Sequence, residues 1–150
     1  MKHVNKSVLV WYSAQEMFDL VVDVAQYPQF LPWCDQAQVL QEHADGMTAR
    51  LGLAFAGLRH AFTTRNTHFQ DQEVRMNLVD GPFSHLEGKW RFADLKPTAS
   101  DSKACRATLD LTYAFEGRTA ELVLSPVFDR IAATLVDAFL ARAQAVYGVR

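Results

Sequence analysis

The sequence predicts an α+β domain in which a curved, seven-stranded antiparallel sheet wraps around a long C-terminal helix, with two short helices after the first strand. Three observations support this fold class. A helix-start motif follows the first strand, segments of alternating apolar residues fill the middle of the chain, and a helical apolar pattern occupies its end. With 150 residues, the chain is long enough for one domain with a core, so we expect residues 1–150 to form a single domain.

The first strand is predicted over His3–Trp11 and leads directly into a helix. Ser13 and Glu16 have the spacing of a capping box, in which the serine oxygen accepts the Glu16 amide proton and the glutamate reaches back to the Ser13 amide. Apolar residues then recur at helical spacing from Ala14 to Val24. The sequence therefore predicts an amphipathic helix immediately after the strand.

A second short helix is predicted from Gln26 to Leu31. Pro28 suits a first helical turn because its amide has no hydrogen to leave unpaired. Pro32 is expected to stop the helix, since the residue before a proline avoids the helical conformation.

The middle of the chain predicts an antiparallel meander of six strands. Apolar residues alternate along several of these segments, which is typical of strands with one buried face. The predicted spans are 35–42, 46–56, 58–69, 73–79, 85–95 and 103–115. Residues that favour turns separate them, namely Ala44-Asp45-Gly46, Ala56-Gly57, Gln70-Asp71-Gln72, Asp80-Gly81-Pro82 and Lys96-Pro97-Thr98.

The last element is predicted to be a long helix. Ser125 and Pro126 have the pattern of an N-cap followed by proline at the first helical position, and Gly148 is a typical helix end. A helix from Pro126 to Tyr147 would be about 33 Å long. Leu122–Leu124 is expected either to form a preceding turn or to extend the helix with a kink at Pro126.

Composition and motifs exclude several classes of function. The net charge of −2 offers no general attraction to nucleic acid, so we expect no DNA partner. The N-terminal segment has no apolar run of signal-peptide length and no stretch is apolar enough to span a membrane, which favours a cytoplasmic protein. Contact with the inner membrane would then be peripheral.

Neither a catalytic residue nor a metal site is predicted. The chain contains no nucleophile, nucleotide-binding or metalloprotease motif. His60 and His68 would lie about 26 Å apart along one strand. Cys34 and Cys105 have no nearby cysteine partner and are expected to be free, buried thiols.

Many large apolar side chains fall on positions predicted to face inward. They fit either a solid core or the walls of a cavity that the sheet and the helix fail to fill, and the pattern does not choose between the two. These residues are Phe55, Phe62, Met76, Leu78, Phe83, Leu86, Trp90, Phe92, Leu111, Phe115, Phe128, Leu135 and Phe139.

Several motifs, in this order and spacing, resemble those of a known family. They include YPQFLPWC at Tyr27–Cys34, DGPF at Asp80–Phe83 and GKWRF at Gly88–Phe92, and the likeness extends from Tyr12 to Gly148. Through them the chain resembles the coenzyme Q-binding family of START-like proteins, a group that also includes polyketide cyclases/dehydrases and lipid transport proteins.

The resemblance implies a helix-grip (START/Bet v 1-like) fold and an apolar ligand-binding cavity with no required cofactor. One implied role is binding ubiquinone or another isoprenoid lipid as a carrier or chaperone that supports respiration. A second is that of a ribosome-association toxin, which binds the large ribosomal subunit and blocks subunit joining. A more distant implication is an aromatase/cyclase-like enzyme, although fold alone does not imply function.

In a ligand-binding role, we expect the cavity mouth where the short helices lead into the sheet, close to the β-turn at Gly81. A mouth of this kind would touch membrane transiently during ligand transfer, or the same residues would form only a lid over the core. The mouth residues are Pro28, Phe30, Leu31, Pro32, Trp33, Gly81 and Pro82. Candidate hydrogen-bond donors to a polar head group are Arg65, Asn66, His68, His85 and Trp90.

Basic residues concentrate on strand positions opposite to the apolar ones. Only Glu73, Glu87 and Asp110 are predicted to share that outer face with them. Such a surface could bind ribosomal RNA or anionic lipid with strong salt dependence, or could simply be a solvated sheet face. Its basic residues are Arg50, Arg59, Arg65, Arg75, Lys89, Arg91 and Arg106.

Overall fold

The computed structural model describes residues 1–55, 57–95 and 103–150. Seven strands, one 3₁₀ helix and two α-helices make up the described chain. In chain order they are β1 (Lys2–Val10), α1 (Ala14–Val22), the 3₁₀ helix (Val24–Gln29), β2 (Cys34–His43), β3 (Gly46–Phe55), β4 (Leu58–Phe69), β5 (Glu73–Asp80), β6 (Phe83–Asp94), β7 (Cys105–Phe115) and α2 (Arg118–Tyr147).

The strands form one sheet in the order β1-β7-β6-β5-β4-β3-β2, and every neighbouring pair is antiparallel. Strands β2 to β7 form the predicted meander. The whole of β1 pairs with β7, on the edge of β7 opposite to β6. The predicted α+β fold with a seven-stranded sheet and a long C-terminal helix is therefore confirmed. Of the predicted turns, Ala56 and residues 96–98 lie outside the described residues.

The start of α1 is fixed by reciprocal hydrogen bonds. The Ser13 hydroxyl accepts from the Glu16 amide at 3.1 Å, and the Glu16 carboxylate accepts from the Ser13 amide at 3.0 Å. Asp94, at the end of β6, accepts a further bond from the Ala14 amide at 2.8 Å. The predicted capping box is confirmed, and Asp94 joins this helix end to the sheet.

The second short helix lies two residues earlier than predicted. It is a 3₁₀ helix at Val24–Gln29 rather than a helix at residues 26–31, and Pro28 lies inside it. At its end the Phe30 amide donates to the Tyr27 carbonyl, three residues earlier, which is the hydrogen-bond spacing of a 3₁₀ helix. Short 3₁₀ turns tolerate proline because few of their amides need an intrahelical partner.

The long helix begins earlier than predicted. It starts at Arg118, after Gly117 at a φ of 88°, so Ser125 is not its N-cap and Pro126 lies in its interior. Its 30 residues correspond to about 45 Å. An interior proline removes one hydrogen bond to the carbonyl four residues earlier, here Leu122, which lies in an exposed stretch where water can reach the backbone.

The core lies between the concave face of the sheet and α2. The largest fully buried side chains include Trp90, Tyr113 and Phe139, which come from β6, β7 and α2. Aromatic rings link these elements, since Trp90 and Phe139 have ring centroids 5.2 Å apart and Tyr113 and Phe128 have theirs 4.7 Å apart. Across the described residues, neither α-helix has an apolar stretch of sufficient length to span a membrane.

Candidate ligand cavity and outer sheet face

A small cavity of about 80 Å³ separates the concave face of the sheet from α2. Side chains from β3 to β7 line one side of it and residues of α2 line the other. Eight of the thirteen predicted inward residues line this space, namely Phe62, Met76, Leu86, Trp90, Leu111, Phe128, Leu135 and Phe139. The interior is therefore neither packed solid nor widely open.

Five predicted residues do not line the cavity: Phe55, Leu78, Phe83, Phe92 and Phe115. Phe55 is exposed at the end of β3, where the Arg130 guanidinium lies 5.9 Å from its ring centroid. Phe83 and Phe115 stack on each other at 5.1 Å, so each fills space that the other would leave open. Phe92 packs against Phe18 of α1, and Leu78 lies near the bulged end of β5.

Other cavity walls come from residues outside the predicted inward set. Val24 and Tyr27 of the 3₁₀ helix cover one side, and Ala49, Leu109 and Ala132 contribute small or medium side chains. Leu109 alternates correctly with Leu111 and could have been included on that basis. The 3₁₀ helix could not, because its position depends on how the chain folds back over the sheet.

The predicted mouth divides into two groups. Leu31 and Trp33 line the cavity, and both are buried. The other five residues do not line it: Pro28, Phe30, Pro32, Gly81 and Pro82. Phe30 instead packs edge-on against Phe139, with ring centroids 5.1 Å apart. Gly81 lies so near Phe62 that a Cβ atom at Gly81 would be 2.7 Å from the Phe62 Cβ. The structure thus brings only Leu31 and Trp33 of the predicted mouth to the cavity.

Two polar side chains interrupt the apolar lining. Thr64 and Asn66 project from β4 and are 7% and 6% exposed. The Thr64 hydroxyl donates to Asn66 Oδ1 at 2.7 Å. Among the five predicted donors, only Asn66 and Trp90 line the cavity.

The other three predicted donors lie away from the cavity. Arg65 donates to Asp45 at 2.6 Å, and His85 lies 3.1 Å from the Thr112 hydroxyl. The His68 ring packs against Phe18, and burial lowers its pKa, as does the nearby Arg65 charge.

The cavity volume limits what can bind in this conformation. An apolar cavity of about 150 Å³ accommodates benzene. The present space is smaller, so an aromatic or isoprenoid ligand requires the walls to move. Met76 is a candidate for this motion, because methionine is flexible and its terminal methyl group occupies the space that a Cβ atom at Gly88 would fill, next to Leu111.

The outer sheet face carries the predicted basic residues. All seven fall on the strand positions that alternate with the cavity-lining ones, and each is at least partly exposed. Glu73 pairs with Arg75 at 2.5 Å and with Arg91 at 3.2 Å. Burial alone would raise the pKa of Glu73, but these two bonds hold it below its ordinary value, so the carboxylate stays charged.

Residues capable of other chemistry are not grouped into a site. Within the described residues, no group of three or more histidine, cysteine or acidic side chains could hold a metal ion. Cys34 and Cys105 are free and buried. Burial raises the pKa of Cys34 to about 11 and that of Cys105 to about 12, so neither thiol is a thiolate near neutral pH.

Comparison with known proteins finds similar proteins of two kinds. The chain is 44% identical to the ribosome association toxin RatA of Pseudomonas aeruginosa over 146 residues, which span 97% of this chain and 98% of that protein. It is 29% identical to the mitochondrial coenzyme Q-binding protein COQ10 homolog B of Xenopus laevis over 147 residues, 96% of this chain and 59% of that protein.

Solved structures support the fold. The ZhuI aromatase/cyclase from Streptomyces sp. R1128 superposes with a TM-score of 0.73 over 95% of this chain and 93% of that one, at 20% sequence identity. Residues 10–140 match the family described as polyketide cyclase / dehydrase and lipid transport. The curved sheet, the long C-terminal helix and this match together show that the chain belongs to the polyketide cyclase/dehydrase and lipid transport family.

Proposed function

We propose that this protein, acting as a single domain in the cytoplasm, binds the large ribosomal subunit and blocks its joining to the small subunit. The observation that carries the proposal is the 44% identity, over 97% of the chain, to a protein named a ribosome association toxin. The relative and this chain match along nearly their whole lengths, so the proposal does not depend on one shared segment. No catalytic step is part of it.

The outer sheet face is the surface that we assign to the ribosome. Glu73 neutralises part of the charge of Arg75 and Arg91. Elsewhere on this face, no carboxylate from the described residues forms an ion pair with Lys89 or Arg106. Their charges are therefore available to the phosphates of ribosomal RNA.

Co-sedimentation with purified large ribosomal subunits at low salt tests the proposal. We expect the wild-type protein to enter the large-subunit fraction and to reduce the yield of joined ribosomes when small subunits are added. The double variant Lys89→Glu/Arg106→Glu should bind at least tenfold more weakly. Arg118→Glu, which changes an exposed cation at the start of α2, is the matched control and should bind normally.

The experiment tests ribosome association and the use of the outer sheet face as two separate claims. A wild-type protein that never sediments with large subunits would refute ribosome association. Normal binding by the double variant would retain that role but reject the outer face as its binding surface.

A second candidate function is supported by the apolar cavity. Its lining is almost entirely apolar, and a relative at 29% identity is named a coenzyme Q-binding protein. Ubiquinone or a similar isoprenoid lipid would gain about 0.8 kcal/mol for each methylene group removed from water. Because the cavity in this conformation is smaller than such a ligand, binding would require Met76, Leu135 or the segment around Leu31 and Trp33 to move, and release to a membrane would require the same motion.

Native mass spectrometry of protein purified without detergent tests this second function. We expect a bound lipid in the wild type and its loss in Ala132→Phe, which fills the cavity from α2. Ala133→Phe, an exposed neighbour on the same helix, is the matched control. Absence of lipid after expression in several hosts would count against a carrier role.

A further inference from the structure

Asn66 is an unusual residue for the place that it occupies. The residue is only 6% exposed, and it projects from the middle of β4 into the apolar cavity. Its register partners on the two neighbouring strands are Met47 and Met76, whose thioethers are weak acceptors at best. In a solid apolar core, leucine at this position would be more stable than asparagine, because a buried amide must find hydrogen-bond partners.

Only half of the amide is satisfied by the protein. Thr64 donates to Asn66 Oδ1 at 2.7 Å, which orients the side chain and leaves its nitrogen directed elsewhere. Among the described residues, no acceptor bonds to Nδ2. In the same residues, no side-chain nitrogen or oxygen is both fully enclosed and without a partner. Nδ2 must therefore border open space, and the cavity is the space that Asn66 lines.

We infer that Asn66 Nδ2 is the hydrogen-bond donor of a ligand site and that the ligand is an apolar, ring-sized molecule with one acceptor oxygen, such as a ketone. The inference rests on the second candidate function and adds the ligand class. The surrounding lining favours a hydrocarbon body, and a single oriented donor fits a single carbonyl group. Ring size describes the part of the ligand beside Asn66, because the cavity is small and Met76, which fills the space beside Gly88, is the flexible side chain that could enlarge it.

A pair of probe molecules of equal size tests the inference. Acetophenone and isopropylbenzene have the same ring and number of heavy atoms, but only acetophenone has a carbonyl oxygen. Titration calorimetry gives both affinities, and NMR reports the shift of the Asn66 side-chain amide. We expect wild-type protein to bind acetophenone about tenfold more tightly, equivalent to about 1.4 kcal/mol, with a shift of that amide.

Variants assign the preference to one residue. Asn66→Leu keeps the side-chain size and should bind both probes with similar affinity, and Asn77→Leu, on the outer face of the next strand, should keep the wild-type preference. Equal affinity of the wild type for both probes, or a preference that persists in Asn66→Leu, would overturn the inference while leaving an apolar cavity site in place. If neither probe binds, the inference fails, and the lipid search by native mass spectrometry decides separately whether the second candidate function stands. The wild-type comparison remains decisive even if Asn66→Leu does not fold.

Discussion

The hydroxyl of Tyr113, on β7, donates a hydrogen bond to Oδ1 of Asp129, on α2, at 2.5 Å. Tyr113 is almost fully buried, whereas Asp129 reaches the surface and also pairs with Lys2 of β1. This contact joins the C-terminal helix to the two strands that it crosses. It therefore anchors α2 to the β1–β7 edge of the sheet.

Removing this hydroxyl should loosen the helix. Tyr113→Phe loses a bond to a charged acceptor, and we expect the free energy of unfolding to fall by about 1–2 kcal/mol in urea denaturation. Tyr12→Phe is the control, because it loses a bond of similar length, 2.6 Å, to a neutral acceptor, the Gly148 carbonyl. The control should be affected less. Equal losses would show that the Asp129 charge adds nothing to the bond.

Glu16 should make folding stability depend on acid pH. The forked bonds from Arg150, together with the Ser13 amide, lower the pKa of Glu16 to about 2, although burial opposes the shift. Because the folded pKa lies below the ordinary 4.5, the ionised group stabilises the fold above that pH. This stabilisation is lost as the pH falls from about 4.5 to about 2.

Urea denaturation between pH 7 and pH 2.5 checks this dependence. Glu16→Gln should be less stable than wild type by about 1–2 kcal/mol at pH 7, with the difference shrinking toward pH 2.5. Glutamine can still complete the capping box, so the variant isolates the charge. A difference that stays constant with pH would contradict the prediction.

Binding to ribosomes through the outer face should depend strongly on salt. Each cation that contacts a phosphate contributes about one unit to the slope of log affinity against log salt concentration. Lys89→Gln/Arg106→Gln should therefore reduce the magnitude of the slope by about two, measured by co-sedimentation between 50 and 200 mM salt. An unchanged slope would show that neither residue contacts phosphate in the complex.

Gly46 should be intolerant of a side chain. A Cβ atom there would lie 1.9 Å from the backbone oxygen of Asn66, which cannot move without disturbing the β3–β4 pairing. Gly46→Ala should cost at least about 2 kcal/mol of unfolding free energy. Gly57→Ala is the comparison, since Gly57 has a φ of 83° but no atom of a described, non-adjacent residue lies within 4 Å of the added carbon. It should cost only about 1 kcal/mol, from backbone strain. Thermal unfolding of both variants measures the difference.

The local elements followed closely from the sequence. Alternation along the strands predicted six strand segments of the meander to within two residues at most ends, because side chains on a strand must face opposite sides of the sheet. The Ser13–Glu16 capping box needs only neighbouring residues and was confirmed at both bonds. The predicted start of α2 at Pro126 was wrong, but the alternative that Leu122–Leu124 extend the helix was right. The residues before the Ser-Pro pair also favour a helix, which therefore begins at Arg118.

The candidate site depended more on the tertiary structure. Periodicity predicts that Phe62, Phe83 and Phe115 face inward, but it cannot tell which of them touch one another and which border a void. That choice depends on the distance between the sheet and α2, and hence on contacts between residues far apart in the chain.

The sequence by itself determined the order of the elements, the two faces of the sheet and the separation of basic from apolar residues, because each depends on local spacing. Only the tertiary structure decided that Leu31 and Trp33 line the cavity, that its volume is small, and that Asn66 faces it with an amide nitrogen that no described residue accepts from. These properties arise where β4, the 3₁₀ helix and α2 meet, and the shape of a space between packed elements is not encoded in any one of them.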